Sequence, residues 1–303
     1  MAIVLQESLR AVFYAPFYVA LAQGAFAAEG VEIKFASAPR PGDAALGLFN
    51  GTVDVCWGGP MRVMETYQKR ADCDLVSFAE VVTRDPFLLV GRGDRPGFSP
   101  ADLLSVRLAS VSEVPTPWMC LQDDVRRAGA DPTRITRIAD RAMADNVAAL
   151  RAGEVDVVQL FEPFVSELVE NPEYRIWYAQ ADRGPTSYTT FYTRRPTLTS
   201  RQDELLRMVR AIARTETWVT AASGEAIATT IASYFPDVPQ ARLATACARY
   251  KALGIWGRNP IVPRAGYDRL LASLVSGAFV NPGTPFEVAV DNRLAELALT
   301  PPP

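Results

Sequence analysis

The chain has 303 residues, about twice the length of a modal domain, so two lobes are the starting expectation. Hydrophobic residues make up 49% and charged residues 21%, an ordinary globular balance that excludes a disordered chain. The net charge of -3, with basic residues scattered singly or in pairs, excludes nucleic acid as a partner. The absence of any histidine removes the commonest general acid/base and every Ser-His or Cys-His nucleophile pair.

No stretch approaches the ~18 apolar residues of a membrane span, because Arg, Glu, Gln or Asp interrupts every apolar run. Met1-Ala2-Ile3-Val4-Leu5-Gln6-Glu7 has no basic n-region, long apolar segment or cleavage motif. Two placements follow as expectations: periplasmic or lipid-anchored outside the inner membrane if a signal was removed, cytoplasmic if Met1 is the native start. Cys56, Cys73, Cys120 and Cys247 form no CxxC pair and read as buried small hydrophobes. No metal or cofactor is expected, since imidazoles are absent and carboxylates do not cluster at ligand spacing.

In chain order, Ile3-Val4-Leu5 reads as a short strand and Tyr14-Ala15-Pro16-Phe17 as the entry to a helix over 18–26. Val31-Glu32-Ile33-Lys34-Phe35 alternates with the period of two of a half-buried strand, with Gly30 turning into it. A helix ending at Phe49-Asn50, a Gly51 turn, the strand Val53-Asp54-Val55, the loop Trp57-Gly58-Gly59-Pro60 and a helix over 61–69 then form one unit. The same grammar returns as Ala148-Ala149-Leu150, Gly153, Val155-Asp156-Val157, Phe161-Glu162-Pro163 and a helix over 164–169. Glycine suits the left-handed residue that ends a helix and proline the first turn of the next. Two such α/β units predict two mostly parallel sheets flanked by helices, one per lobe.

A strand over 106–111 opens the second lobe, after a turn-rich stretch over 91–100 and a short helix over 101–104. Tyr188-Thr189-Thr190-Phe191-Tyr192-Thr193, rich in β-branched and aromatic residues, is read as the return crossing. Lobe one is therefore drawn as 1–88 plus 194–303 and lobe two as 89–193, with hinge crossings near 84–97 and 186–194. Helical periodicity over 204–220, 224–234, 241–253 and 267–274 predicts C-terminal helices packed on lobe one, and Pro301-Pro302-Pro303 a frayed tail.

The stretch Phe13-Tyr14-Ala15-Pro16-Phe17-Tyr18-Val19-Ala20, then Gly24-Ala25-Phe26 and Glu29-Gly30-Val31, resembles the type II periplasmic solute-binding proteins of nitrate, sulfonate, taurine and thiamine-pyrimidine-precursor ABC importers. Leu48-Phe49-Asn50-Gly51-Thr52-Val53-Asp54 extends the likeness. The resemblance implies a hinged two-lobed α/β fold that clamps a small-molecule solute, with an ABC permease and ATPase as partners and a monomeric state. Ligands of open α/β sheets sit beyond the carboxyl ends of strands, where helix N-termini offer free N–H groups.

Four loops meet that placement. Tyr14, Pro16 and Phe17 suit either an aromatic wall or loop packing. Trp57, Gly58, Gly59 and Arg62 combine close backbone approach with a cation for an anion, and form the strongest candidate; a tight turn with a surface arginine is the plainer alternative. Ser112, Glu113, Thr116 and Trp118 suit helix capping as well as ligand contact. Phe161 and Glu162 follow a buried strand, and Tyr188 adds a ring from the hinge. The rings favour a flat aromatic or heteroaromatic solute; Glu113 and Glu162 suit amino groups, Arg62 a carboxylate, sulfonate or phosphate. A thiamine-pyrimidine-like compound comes first and an aromatic acid or alkyl sulfonate second. Arg62→Ala and Trp57→Ala are expected to weaken binding without unfolding the protein.

Two other functions stand beside this one. A cytoplasmic enzyme, a decarboxylase or a relative of the fungal hydroxymethylpyrimidine phosphate synthase, would lack the histidine and the cysteine-rich motif that synthase needs. Cys56 would have no neighbouring base. A ligand sensor on the same fold has no DNA-binding helix pair to support it.

Overall fold

The computed structural model describes residues 1–281 and 284–300, so the tail expected at 301–303 lies outside the described residues. Among the described residues ten strands form two five-stranded mixed sheets. The first has the order β2-β1-β3-β10-β4, with β1 Ile3–Glu7, β2 Ile33–Ser37, β3 Val55–Gly58, β4 Leu75–Val82 and β10 Thr189–Arg194. The second has the order β7-β6-β8-β5-β9, with β5 Leu88–Arg92, β6 Arg107–Ala109, β7 Thr136–Ile138, β8 Val157–Leu160 and β9 Tyr174–Ala179. In each sheet three parallel strands precede an antiparallel one, β10 against β3 and β5 against β8. This is the type II periplasmic-binding architecture, and each repeat unit supplies the middle strand of its sheet.

The chain passes between sheets over 83–87 and returns over 180–188. Both segments overlap the expected crossings near 84–97 and 186–194 but end before they do. Residues 88–92 are already β5, and the run Thr189–Arg194 is β10, paired to both β3 and β4 inside the first sheet. A β-branched, aromatic run has high strand propensity because it packs well within a sheet, and here it lies between two neighbours rather than crossing alone.

The C-terminal helix Gln202–Ala221 packs on the helices Ala15–Ala22 and Arg293–Leu299 of lobe one. Two later helices also reach lobe two. Gln240–Ala252 contacts Phe164–Val169, and Arg264–Ser276 contacts Thr116–Arg127, where Ser273 Oγ donates to Asp123 at 3.1 Å. The helical segments therefore strap the lobes together behind the crossings.

Candidate functional site

The carboxyl ends of β1 and β3 and the start of the helix Met61–Lys69 open on a narrow cavity of about 40 Å³. Both lobes and both crossings line it: Ser8, Tyr14 and Arg62 from lobe one, Thr116 from lobe two, Phe87 and Tyr188 from the crossings. Glu7 fixes the end of β1 beside Ser8. It is buried and accepts from Tyr18 Oη and Ser37 Oγ, each at 2.6 Å, while pairing with Arg10. Gly58 and Gly59 keep the floor thin: an added Cβ would lie 3.4 Å from Ser8 Oγ and Tyr192 Cε1 at the first, and 3.3 Å from the Tyr188 carbonyl at the second. Glycine leaves room there for a close approach; no unusual backbone angle is involved.

The polar side chains of the wall are all donors. Ser8, Tyr14, Thr116, Tyr188 and Tyr192 bring hydroxyls, Arg62 is its charged group, and no carboxylate lines it among the described residues. Ser8 Oγ and Tyr14 Oη lie 3.1 Å apart, whereas among the described residues the buried Tyr188 and Tyr192 hydroxyls have no hydrogen-bond partner. Burial pushes Tyr14 up to about 12 and Tyr188 and Tyr192 well above the usual phenol range, so all three stay neutral and able to donate. An unsatisfied buried hydroxyl costs ~1–3 kcal/mol, which an acceptor on a ligand offsets. Arg62 pairs with Glu65, which Lys69 also contacts, so a bound anion would share the guanidinium with that carboxylate.

The sequence model of the family described as NMT1/THI5 like matches residues 13–226. The chain belongs to that NMT1/THI5-like family. The putative binding protein YtlA of Bacillus subtilis (strain 168) is 23% identical over 292 residues, covering 96% of this chain and 87% of YtlA. The periplasmic aliphatic sulphonate binding protein SsuA from Escherichia coli superposes with a TM-score of 0.74 at 16% identity, covering 93% of this chain and 94% of SsuA. The desulfurization enzyme DSZB also superposes, with a TM-score of 0.65 at 14% identity over 98% of this chain and 99% of that one. At such identities both structures bear on the fold.

In this NMT1/THI5-like chain the structure gathers Tyr14, Gly58, Gly59, Arg62, Thr116 and Tyr188 around the cavity. It places the other candidates elsewhere. Trp57 is fully buried in the core between Phe17, stacked at 4.5 Å, and Phe35 at 5.3 Å, so Trp57 and Phe17 are packing residues rather than cleft walls. Pro16 sits buried in the first turn of Ala15–Ala22. Trp118 belongs to the core of lobe two, with the Arg137 guanidinium 3.9 Å above its ring. Ser112 Oγ donates to the Arg141 carbonyl at 2.8 Å, and Glu113 accepts from the Met143 N–H at 2.9 Å, across to the next helix. The helix at Thr116 begins without a side-chain cap, so neither hydroxyl caps it.

Phe161 stands behind the wall, 5.5 Å from Phe13 and 5.4 Å from Phe87. Glu162 is fully buried, paired with Arg249 and accepting from the Ser166 N–H at 2.9 Å. A buried carboxylate so paired forms a structural ion pair, and Glu162 does not line the cavity. Ser8, Phe13, Phe87 and Tyr192 were not anticipated. Ser8 obeys the strand-end rule that found the other loops. Tyr192 lies in a strand whose register shifts between Thr189 and Thr190 and again between Phe191 and Tyr192, so simple alternation does not predict its face.

Proposed function

We propose that the chain is the solute-binding component of an ABC importer, clamping a small solute with a carboxylate or sulfonate head between its lobes. The observation that carries this reading is the donor wall: Arg62 with the unpartnered Tyr188 and Tyr192 hydroxyls, and no lining carboxylate among the described residues. The polar part of such a wall complements acceptor oxygens. Phe13, Phe87 and the tyrosine rings suit an apolar or aromatic body. An aromatic acid or alkyl sulfonate therefore ranks ahead of a thiamine-pyrimidine-like solute, because Glu113 and Glu162, the acceptors such a solute would need, are engaged elsewhere. Likeness to YtlA and to a sulphonate-binding protein supports a transport role, with a permease and ATPase as partners and action outside the inner membrane.

The likeness to DSZB favours a second reading, an enzyme on the same scaffold. Its residues do not suit it. Cys56 is fully buried outside the cavity wall, its thiol donates to the Ala44 carbonyl at 3.2 Å, and burial pushes it up to about 12. A thiol so raised is not a thiolate at neutral pH, and the chain has no histidine to deprotonate it.

A thermal-shift screen against alkyl sulfonates, aromatic acids, nitrate and pyrimidines tests the proposal. A solute binding only the folded chain adds about 2.7 kcal/mol at a hundredfold excess over Kd. The acid-headed compounds should raise the melting temperature. A screen in which only pyrimidines act, or nothing acts, overturns the proposal.

A further inference from the structure

Beside β4 the segment after the helix Gln240–Ala252 runs along the edge of the first sheet. The Thr83 N–H donates to the Ile255 carbonyl at 2.7 Å, Gly257 to Val81 at 2.9 Å and Glu80 to Pro260 at 2.8 Å. A second cleft, of about 550 Å³, opens here. Arg84 from the first crossing, Pro185 from the second, and Trp256, Arg258 and Asn259 line it, and it shares no residue with the cavity around Arg62.

Glu80 lies in its wall at 1% exposure, with Oε1 lacking any hydrogen-bond partner among the described residues. Behind it Glu216, from Gln202–Ala221, is fully buried with neither carboxyl oxygen partnered; a Cβ added at Gly257 would lie 2.8 Å from its Oε1. Glu162, the buried carboxylate at the end of β8, has Arg249 as counter-ion; among the described residues Glu80 and Glu216 have none. Buried acids without a partner are expensive, and a cationic group placed against them removes that cost.

The mouth carries guanidiniums instead. Arg258 is exposed and makes no ion pair among the described residues, and Arg84 donates to the Ala181 carbonyl at 3.1 Å. A positive mouth disfavours a bare cation, and two floor carboxyls without a counter-ion among the described residues offer acceptors to an ammonium rather than a partner to a plain anion. Trp256 supplies an apolar flank, oriented by its Nε1–H on the Phe13 carbonyl at 2.9 Å. We infer that this hinge-side cleft is a second ligand site, for a small zwitterion of the α-amino acid class, with its ammonium on Glu80 and its carboxylate on Arg258. Because both crossings line the cleft, an occupant touches the two segments about which the lobes turn.

Isothermal titration of the full chain with glycine, leucine and phenylalanine, beside butylamine and butyrate as singly charged probes, tests the inference. At least one amino acid should bind saturably, and both singly charged probes about tenfold more weakly or not at all. Glu80→Gln and Arg258→Ala should each weaken that binding about tenfold, while Arg62→Ala leaves it unchanged. Should Glu80→Gln not fold, Arg258→Ala, on an exposed side chain, decides alone. The inference is overturned if no amino acid binds, if butylamine or butyrate binds as tightly, if Arg258→Ala has no effect, or if Arg62→Ala abolishes binding. Arg62 belongs only to the first cavity, so the two proposals fail separately.

Discussion

Asp54 accepts from the Val4 backbone N–H at 2.8 Å, and Asp156 accepts from that of Arg107 at 2.7 Å, so each repeat unit ties its own strand to the neighbouring parallel strand, β1 or β6, in the same way. Gly51 and Gly153, with φ of 75° and 73°, make the turn into each unit. β3 and β8 then occupy equivalent central places. Past the strand the copies part. The first ends in Gly58-Gly59-Pro60-Met61-Arg62 and opens on the cavity; the second ends in Phe161-Glu162-Pro163, sealed by Arg249 and by the Glu162 N–H on Tyr250 Oη at 2.8 Å. What the copies share makes the sheets, and where they differ decides which loop meets solvent.

The largest effect is expected inside the first copy. Trp57→Ala removes a fully buried indole stacked on Phe17, and should cost about 4 kcal/mol in denaturant unfolding. Binding then suffers through folding, not through a lost contact, contrary to the expectation drawn from the sequence. In the second copy Arg249→Ala strands the Glu162 carboxylate and should cost about 3 kcal/mol by the same measurement. A loss below about 0.5 kcal/mol would place Glu162 among weak, solvated pairs and erase the contrast between the copies.

Arg62→Ala should leave the denaturation midpoint nearly unchanged, since its one ion pair among the described residues is with a helical neighbour, yet weaken an acid-headed solute about tenfold to a hundredfold in titration calorimetry. Tyr192→Phe removes one neutral donor and should cost about fivefold in the same assay.

A pH-dependent contrast concerns Glu80, which among the described residues lacks the counter-ion that Glu162 has and is pushed by burial from 4.5 up to about 8. Between those values the unfolded chain releases its proton and the folded chain keeps it. This residue's contribution to stability therefore falls as pH rises from about 4.5 to about 8. Denaturant midpoints at several pH values across that window should decline more steeply in the native chain than in Glu80→Gln.

The repeat units were legible because glycine turns, the Val-Asp-Val strands and prolines at helix starts are local signals. β4 was not, since all eight of its residues are buried and it shows no alternation. Around the site, Gly58, Gly59 and Arg62 were legible because a glycine pair before a helix has few other uses. Trp57, Trp118 and Glu162 were misplaced because residue type does not reveal which face of a strand or helix meets the cleft. For Glu162 the deciding partners, Arg249 and Tyr250, lie more than eighty residues further along the chain.

The most direct measurement is a calorimetric titration of the native chain and Arg62→Ala with an alkyl sulfonate and an aromatic carboxylate. Saturable one-to-one binding of at least one of them, weakened about tenfold or more in Arg62→Ala while the fold persists, is the predicted result. Equal affinity in the two proteins, or no binding of either solute, would contradict the assignment of the cavity to an acid-headed solute.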